Sequence, residues 1–313
     1  MRKRRRDIII DEKITDFQPL STWKRWALVL ATGILFGLMA LGFIWLNPRP
    51  PMFDGLRALN DVEKQLSFGP RTPGSPGHQE QVQWMMDRLK DSGWKVELQE
   101  TSRLGHPIRN VIASKGSGEK LILLGAHYDT RFVADHDPVV ANQTKPVPGA
   151  NDGASGVAVL LELARVIPQN PSYEIKLLFF DTEDQGNIAG WDWILGSRAY
   201  AETLVEAPDA VVIVDMIGDA DLNIYKEKNS DPALIEEIWG IANELGFEQK
   251  FIPEYKFSML DDHTPFLEKG YPAVDLIDFD YPYWHTIQDT ADKVSAESLY
   301  TVGRTLQVWL SRQ

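Results

Sequence analysis

The side chains best suited to chemistry in this sequence stand directly after hydrophobic runs. In an open α/β sheet the carboxyl ends of the strands form the ligand crevice, so groups placed there converge even when they are far apart in the chain. They are His127 and Asp129 after LILLGA, Glu183 and Asp184 after IKLLFFDT, and Asp215 after AVVIV, joined by Asp152 in PGAND and His285 in YPYWHT.

Crowded carboxylates repel one another by several kcal/mol at intermediate dielectric, and a divalent cation is the usual remedy. The chain has no cysteine, so any metal must be held by histidine and carboxylate ligands. Each residue alone has a simpler explanation: Asp152 as a helix cap, the His127 motif as a turn, and Glu183 with Asp184 as a solvated loop. Together they predict a metal site.

Elements that would position these residues alternate between helical and strand patterns. Continuous apolar runs are typical of strands buried on both faces, which predicts an α/β fold with a mixed, mainly parallel central sheet flanked by helices. The predicted helices span 54–67, 76–91, 153–166, 232–245 and 296–310, and the predicted strands span 95–100, 110–113, 121–126, 175–180, 210–214 and 273–277.

An uncharged apolar segment over 26–46 is about 20 residues long, which as a helix fits one crossing of a bilayer. Trp26 and Trp45 lie near its ends, and eight basic against four acidic residues precede it, so the positive-inside rule places the N-terminus in the cytoplasm. A cleaved signal peptide is the competing interpretation, but the run exceeds the usual core of about 7–15 residues and no small-x-small site follows. The predicted organisation is a cytoplasmic tail (1–25), a single transmembrane helix (26–46), a proline-rich spacer (47–53) and an extracytoplasmic catalytic domain (54–313).

Composition excludes other classes. The 313 residues are 43% hydrophobic, as in a packed globule, and 32 basic against 45 acidic residues give a net charge of −13. Nucleic-acid-binding proteins usually present a basic surface, so we expect no nucleic acid partner.

Six ordered motifs carry a resemblance to a known family. GAHYDT, PGANDGASGVAVLLELAR, FFDTED, VDMIGD, DDHTPFLEKGYPAV and WHTIQDT resemble metallopeptidase family 28, the zinc aminopeptidases that also include the glutaminyl-peptide cyclotransferases. The resemblance covers about residues 54–313.

The resemblance implies a two-zinc site. Asp152 bridges the metals, His127 and Asp215 complete one, and Asp184 and His285 complete the other. Carboxylate and imidazole ligands suit Zn²⁺ without the analogy.

Three further points concern roles around the metal. Glu183 is the implied general base, and Asp129, two residues beyond His127, is placed to accept the other N–H of its imidazole. The family usually has Glu-Glu where this chain has Glu183-Asp184, so one or two zinc ions per chain are both compatible with the sequence.

Two reactions on the N-terminal residue of peptides or proteins fit this site. The main prediction is an aminopeptidase, favoured by PGANDGASG, in which Glu183 deprotonates the attacking water. The alternative is a glutaminyl-peptide cyclotransferase, in which the substrate's own amine attacks its side-chain amide. A non-catalytic, membrane-anchored binding ectodomain is a third possibility, disfavoured because the implied ligands and base are intact.

Several segments resemble the cyclotransferases. An aspartate of the DDH motif, Asp261 or Asp262, would join a hydrogen-bond network with the base, and Asp262 is the catalytic candidate. Trp284, directly before His285, is a candidate substrate contact with Tyr283 and Trp191, although Trp191 and Trp193 could equally be ordinary buried aromatics.

The remaining histidines and one insertion are given simpler interpretations. His78, His106 and His136 are expected to be solvated, and His263 to be structural or at the rim of the site. The polar insertion 131–147 could form a flap on the substrate side.

Overall fold

The computed structural model describes residues 21–46 and 51–313. The chain divides into two compact units between Arg49 and Pro50. The first contains helix α1, Thr22–Leu46, which includes the predicted apolar segment 26–46. Within the described ranges, no helix is both long and apolar enough to span a membrane. Most of the predicted tail, residues 1–20, and residues 47–50 of the predicted spacer lie outside the described residues.

The second unit alternates helices and strands as the sequence predicts. Its helices are α2 (Gly55–Leu66), α3 (Pro76–Asp91), α4 (Ala154–Val166), α5 (Leu195–Thr203), α6 (Pro232–Glu244), α7 (Thr264–Leu267) and α8 (Ala296–Leu310), with short 3-10 turns at Val140–Asn142 and Ala291–Lys293. Its strands are β1 (Lys95–Arg103), β2 (His106–Lys115), β3 (Leu121–His127), β4 (Glu174–Phe180), β5 (Ala210–Asp215), β6 (Ile224–Lys226), β7 (Phe251–Tyr255) and β8 (Ala273–Ile277).

The main sheet has the strand order β1-β2-β4-β3-β5-β8. Strands β4, β3, β5 and β8 are parallel, while β1 and β2 run antiparallel to their neighbours, which confirms the predicted mixed sheet. Leu124 in β3 lies opposite Leu177 in β4 and Val212 in β5. Every residue of β3 is buried, which explains its uninterrupted apolar run. The carboxyl ends of the parallel strands therefore meet at one edge.

Helix α4 fixes the position of the residues that precede it at this edge of the sheet. It is buried along almost its whole length and packs between the sheet and helices α2 and α8. A Cβ added at Gly156 would lie 2.4 Å from the carbonyl oxygen of Val214, so the helix approaches β5 as closely as a backbone allows. The residues just before α4 are thereby held beside the strand ends.

The structure extends the sequence prediction at several elements. Strands β1 and β2 form one hairpin whose turn residues, Leu104 and Gly105, both have positive φ (52° and 86°), the geometry of a type I′ turn. Helices α5 and α7 and the two-stranded parallel sheet of β6 and β7 are short, and the sequence analysis did not predict them. Their length leaves too few residues for a periodic pattern.

The prediction for His78 is wrong. Its side chain is buried at 2% exposure in α3, and its Nε2 lies 2.8 Å from Asp181 Oδ1. It thus links α3 to the end of β4. His106 is half-buried and bonded to the carbonyl oxygen of Gly190, whereas His136 is exposed as predicted.

Candidate active site

Two of the predicted ligands are the last residues of parallel strands. His127 ends β3 and Asp215 ends β5, and His127 Nε2 lies 3.1 Å from Asp215 Oδ1. The same nitrogen lies 3.1 Å from Oδ1 of Asp152, which precedes α4. We call His127 and Asp215 the strand side of the site. Gly153 next to Asp152 leaves no room for a Cβ, which would lie 2.5 Å from His127 Nε2.

The other two predicted ligands come from loops, and we call Asp184 and His285 the loop side. His285 Nε2 lies 2.9 Å from Asp184 Oδ1 and 3.8 Å from Asp152 Oδ2. Asp152 thus faces both sides, and each side forms with it a group whose ligand atoms lie within 4.8 Å of one another. The structure brings together all five residues for which a metal role was predicted.

The donor atoms of the loop side fit a metal ion. Asp152 Oδ2, Asp184 Oδ2 and His285 Nε2 are buried without a hydrogen bond, because the 2.9 Å contact of His285 Nε2 with Asp184 Oδ1 lacks hydrogen-bond geometry. Buried polar atoms are normally satisfied, so three such atoms in neighbouring residues indicate a missing partner. Carboxylate oxygen and imidazole nitrogen are ligands that Zn²⁺ prefers, and a cation would offset the crowded negative charge.

Asp129 holds the loop that carries the predicted base. It is fully buried and accepts hydrogen bonds from the backbone N–H of Glu183 (2.9 Å) and the side-chain amide of Gln185 (2.9 Å). Its Oδ1 lies 3.6 Å from His127 Nδ1, a looser contact than predicted. Asp129 therefore connects the end of β3 to the loop after β4 in addition to facing the imidazole.

Asp289 is a supporting residue that the sequence analysis missed. Its carboxylate accepts the backbone N–H groups of Asn151 (2.8 Å) and Asp152 (3.2 Å) and the hydroxyl of Tyr281 (2.7 Å). Burial, together with the nearby Asp152, raises the pKa of Asp289 to about 7. Its position in the motif WHTIQDT was the available signal, but carboxylates in such turns are common on surfaces.

Electrostatics set Glu183 apart from an ordinary glutamate. Burial raises its pKa well above the usual value of 4.5, and the charges of Asp261, Asp184 and Asp262 add to this, while His127 opposes it. Burial likewise raises the pKa of Asp262. A raised pKa favours a carboxyl group that takes up a proton and later releases it, as acid–base catalysis requires.

A pocket of about 210 Å³ opens onto the acidic cluster. Five carboxylates form its polar part: Asp152, Glu183, Asp184, Asp215 and Asp261. Its apolar walls are Trp193, Met216, Met259, Leu260, Ile277, Phe279 and Trp284. Polar groups that converge among apolar and aromatic walls are typical of a small-ligand site.

The predicted substrate contacts separate into two groups. Trp284 lines the pocket and stacks on His285 at a ring-centroid distance of 3.7 Å. Trp191 instead stacks on His106 at 3.5 Å and lines a different cavity. Tyr283 packs against Tyr281 and Lys293 and does not line the pocket. Of the aromatic residues in the loop after β4, it is Trp193 that reaches the site.

His263 is fully buried, so of its two predicted positions, structural or at the rim, the structure supports the structural one. Its imidazole lies 3.5 Å from Glu227 and 3.9 Å from Asp275. Asp262, the neighbouring predicted catalytic residue, is also buried, and neither of its carboxylate oxygens has a hydrogen-bond partner.

The fold is a mixed α/β sheet with a buried cluster of carboxylates and imidazoles at the carboxyl ends of its parallel strands, and known proteins share this fold. The crystal structure of Porphyromonas gingivalis glutaminyl cyclase matches with a TM-score of 0.80 and 33% identity over 84% of this chain and 99% of that chain. A Zn-dependent exopeptidase from Parabacteroides distasonis matches with a TM-score of 0.79 and 30% identity over 84% of this chain and 100% of that chain. A glutaminyl-peptide cyclotransferase of Bos taurus is 26% identical over 285 residues, covering 77% of each chain.

Residues 110–310 match peptidase family M28. The protein belongs to peptidase family M28, as its motifs predict, and it is an enzyme.

Proposed function

We propose that this enzyme uses zinc to act on the N-terminal residue of peptides and proteins, and that it converts N-terminal glutamine to pyroglutamate with release of ammonia. The observation that carries this proposal is the small pocket, in which the apolar walls of Trp193, Phe279 and Trp284 enclose Glu183 beside the metal ligands. Such a pocket accepts one side chain and leaves the rest of a peptide outside. The resemblance to glutaminyl cyclases supports the same reaction.

The metal ligands and Glu183 have separate roles in the proposed cyclisation. A zinc ion held by Asp152, Asp184 and His285 would polarise the substrate's side-chain carbonyl when bound. Glu183 takes a proton from the substrate's α-amine as the amine nitrogen bonds to the carbon of the side-chain amide. It then gives that proton to the departing nitrogen as the carbon–nitrogen bond of the amide breaks and ammonia leaves.

Aminopeptidase hydrolysis, the main prediction from the sequence, is the second candidate. The zinc-dependent exopeptidase relative and the complete strand side, His127 with Asp215, both favour it. Glu183 would then take a proton from water as the water oxygen bonds to the scissile carbonyl carbon, and it would give that proton to the amine that leaves as the peptide C–N bond breaks. His127, Asp152 and Asp215 would hold a second zinc ion for this reaction, so we propose one or two ions per chain.

Two peptides distinguish these reactions. The enzyme is incubated with a peptide that begins with glutamine and one that begins with leucine. Ammonia release with every peptide bond intact supports cyclisation, and free leucine supports hydrolysis. If neither peptide reacts and metal analysis finds no zinc, the binding ectodomain is the better interpretation.

We also infer that residues 26–46 anchor the protein in a membrane with its N-terminus in the cytoplasm and residues 54–313 outside. The uncharged apolar segment of the sequence and the basic tail before it support this inference. Fractionation should recover the protein with membranes, and protease added outside should digest the catalytic domain. Recovery in the soluble fraction would refute the anchor.

A further inference from the structure

Arg131, at the start of the insertion 131–147, is a buried cation beside the loop side of the site. Its side chain is only 1% exposed. Its guanidinium donates to the backbone carbonyl oxygens of Asp184 (3.0 Å) and Gly186 (2.9 Å) and lies over the ring of Trp193. Arg131 thus fixes the loop that carries one predicted metal ligand.

The same guanidinium holds Asp135 in a two-pronged ion pair. Arg131 Nε and Nη2 donate to the two carboxylate oxygens of Asp135 at 2.8 and 2.7 Å. Asp135 Oδ1 in turn lies 3.3 Å from Nδ1 of His285, an ion-pair contact without hydrogen-bond geometry. Histidines that bind metals usually direct their other ring nitrogen to a carboxylate, which fixes the ring and its tautomer.

The insertion also holds the backbone around His285. The backbone N–H of His136 donates to the carbonyl oxygen of His285 (3.2 Å), and the N–H of Ile287 donates to Asp137 Oδ2 (3.1 Å). His285 has a φ of 55°, a left-handed conformation that is unfavourable for a non-glycine residue and persists only when its surroundings impose it. The insertion therefore acts on the backbone and the side chain of the same residue.

We propose that Arg131 and Asp135 form a positioning pair that orients His285, so that its Nε2 faces the metal while its Nδ1 is held by Asp135. Residues 131–147 would then hold a metal ligand in place, which differs from the substrate-side flap suggested by the sequence. A separate metal site made of Asp135, His136 and His285 is geometrically possible, but Asp135 is already paired with Arg131, and His285 already faces Asp184. The inference rests on the zinc site proposed above, but it holds for either reaction.

Asp135 is the residue to change, because its side chain is 37% exposed and its loss should not unfold the protein. The variants are Asp135→Ala and Asp135→Asn. The control is Glu268→Gln, which weakens a comparable two-pronged pair with Arg198 away from the metal ligands. Zinc affinity is measured by competition with a chromophoric chelator, and thermal unfolding is measured with and without zinc.

Asp135→Ala should weaken zinc binding about 10–100-fold, the usual cost of losing a partner of a metal-ligating histidine. Asp135→Asn should lose less, because its amide oxygen can still accept from Nδ1. The rise in melting temperature on adding zinc should shrink in Asp135→Ala, while the melting temperature without zinc stays near that of the control.

The opposite results overturn the proposal. Zinc affinity of Asp135→Ala equal to that of Glu268→Gln would show that Asp135 does not position the ligand. An equal fall in melting temperature with and without zinc would show a purely structural role. A wild-type protein that binds no zinc would refute the zinc site of the proposed function itself, and is distinguishable from both results.

Discussion

The two sides of the metal site are built in different ways. The strand side places His127 and Asp215 at the last positions of β3 and β5, where the sheet register fixes them. The loop side places Asp184 and His285 in irregular segments that depend on Arg131 and Asp135 for their position. Regular structure is therefore sufficient for one half of the site, and the other half needs specific side chains.

The two sides also differ in how many of their buried polar atoms have a hydrogen-bond partner. His127 Nε2 shares a hydrogen bond with Asp215, whereas Asp184 Oδ2 and both ring nitrogens of His285 have no hydrogen-bond partner. Buried polar atoms without a partner cost about 1–3 kcal/mol each. The loop side is consequently the one that gains more from a bound cation.

Glu183, between the two sides, gives the largest expected effect. Glu183→Gln removes the acid–base group but no metal ligand, so turnover should fall about 10²–10⁴-fold while zinc content stays at the wild-type level. Kinetics and metal analysis of the same preparation test this. Loss of zinc together with activity would mean that Glu183 is a ligand, and retained activity would remove it from the mechanism.

Removing one histidine from each side tests the comparison directly. His285→Ala should weaken the tightest zinc binding by more than about 100-fold, since the loss of an outer partner alone costs about 10–100-fold. His127→Ala should weaken it less, because its Nε2 already bonds to Asp215. Isothermal titration of the zinc-free proteins measures both. The reverse order would make the strand side the primary site, and full activity in excess chelator would contradict a metal mechanism altogether.

The pH profile should respond to a charge beside Glu183. Burial, and then the neighbouring acids, raise the pKa of Glu183, and the base works only when deprotonated, so kcat/KM should fall as the pH drops through that pKa. Asp261→Asn removes the neighbouring acid whose charge raises the pKa of Glu183 most, so this pKa should fall and the acid limb should move to lower pH by up to about one unit. Glu268→Gln should leave the limb in place. A limb that moves to higher pH in Asp261→Asn would contradict this assignment.

The smallest effect is expected at Trp191, which lies outside the pocket, and Trp284 inside the pocket is the comparison. Trp284→Ala should raise KM roughly 2–10-fold, which corresponds to the loss of an aromatic contact of about 0.5–1.5 kcal/mol. Trp191→Phe should change KM by less than about twofold, since Trp191 packs on His106 and lines another cavity. Steady-state kinetics on one peptide measures both. A larger effect at Trp191 would place substrate in that second cavity.

The strand side and the framework were predictable from the sequence because they follow from periodicity. Buried apolar runs locate β3, β4 and β5, and the residue after each run must lie at the carboxyl edge of the sheet. The helices 76–91 and 296–310 were predicted with the bounds observed, and in the structure the side chains of Ser75 and Ser295 cap their first turns.

The motifs identified the residues of the loop side, but they could not predict how these residues are arranged in space. The support that Arg131 and Asp135 give to His285 depends on contacts across about 150 residues, which no local pattern encodes. Burial of His78 was missed for the same reason, since its partner Asp181 is 103 positions away. Trp191 and Trp193 are two residues apart, and only the path of the loop decides that Trp193 faces the pocket.

Gly153 limits how this enzyme can change over evolutionary time. Any other residue at that position would place its Cβ 2.5 Å from both the ring nitrogen and the carbonyl oxygen of His127. Every amino-acid substitution at Gly153 would therefore displace His127, a candidate metal ligand. Because Gly153 itself carries no reactive group, a survey confined to reactive side chains would overlook one of the least replaceable positions in the chain.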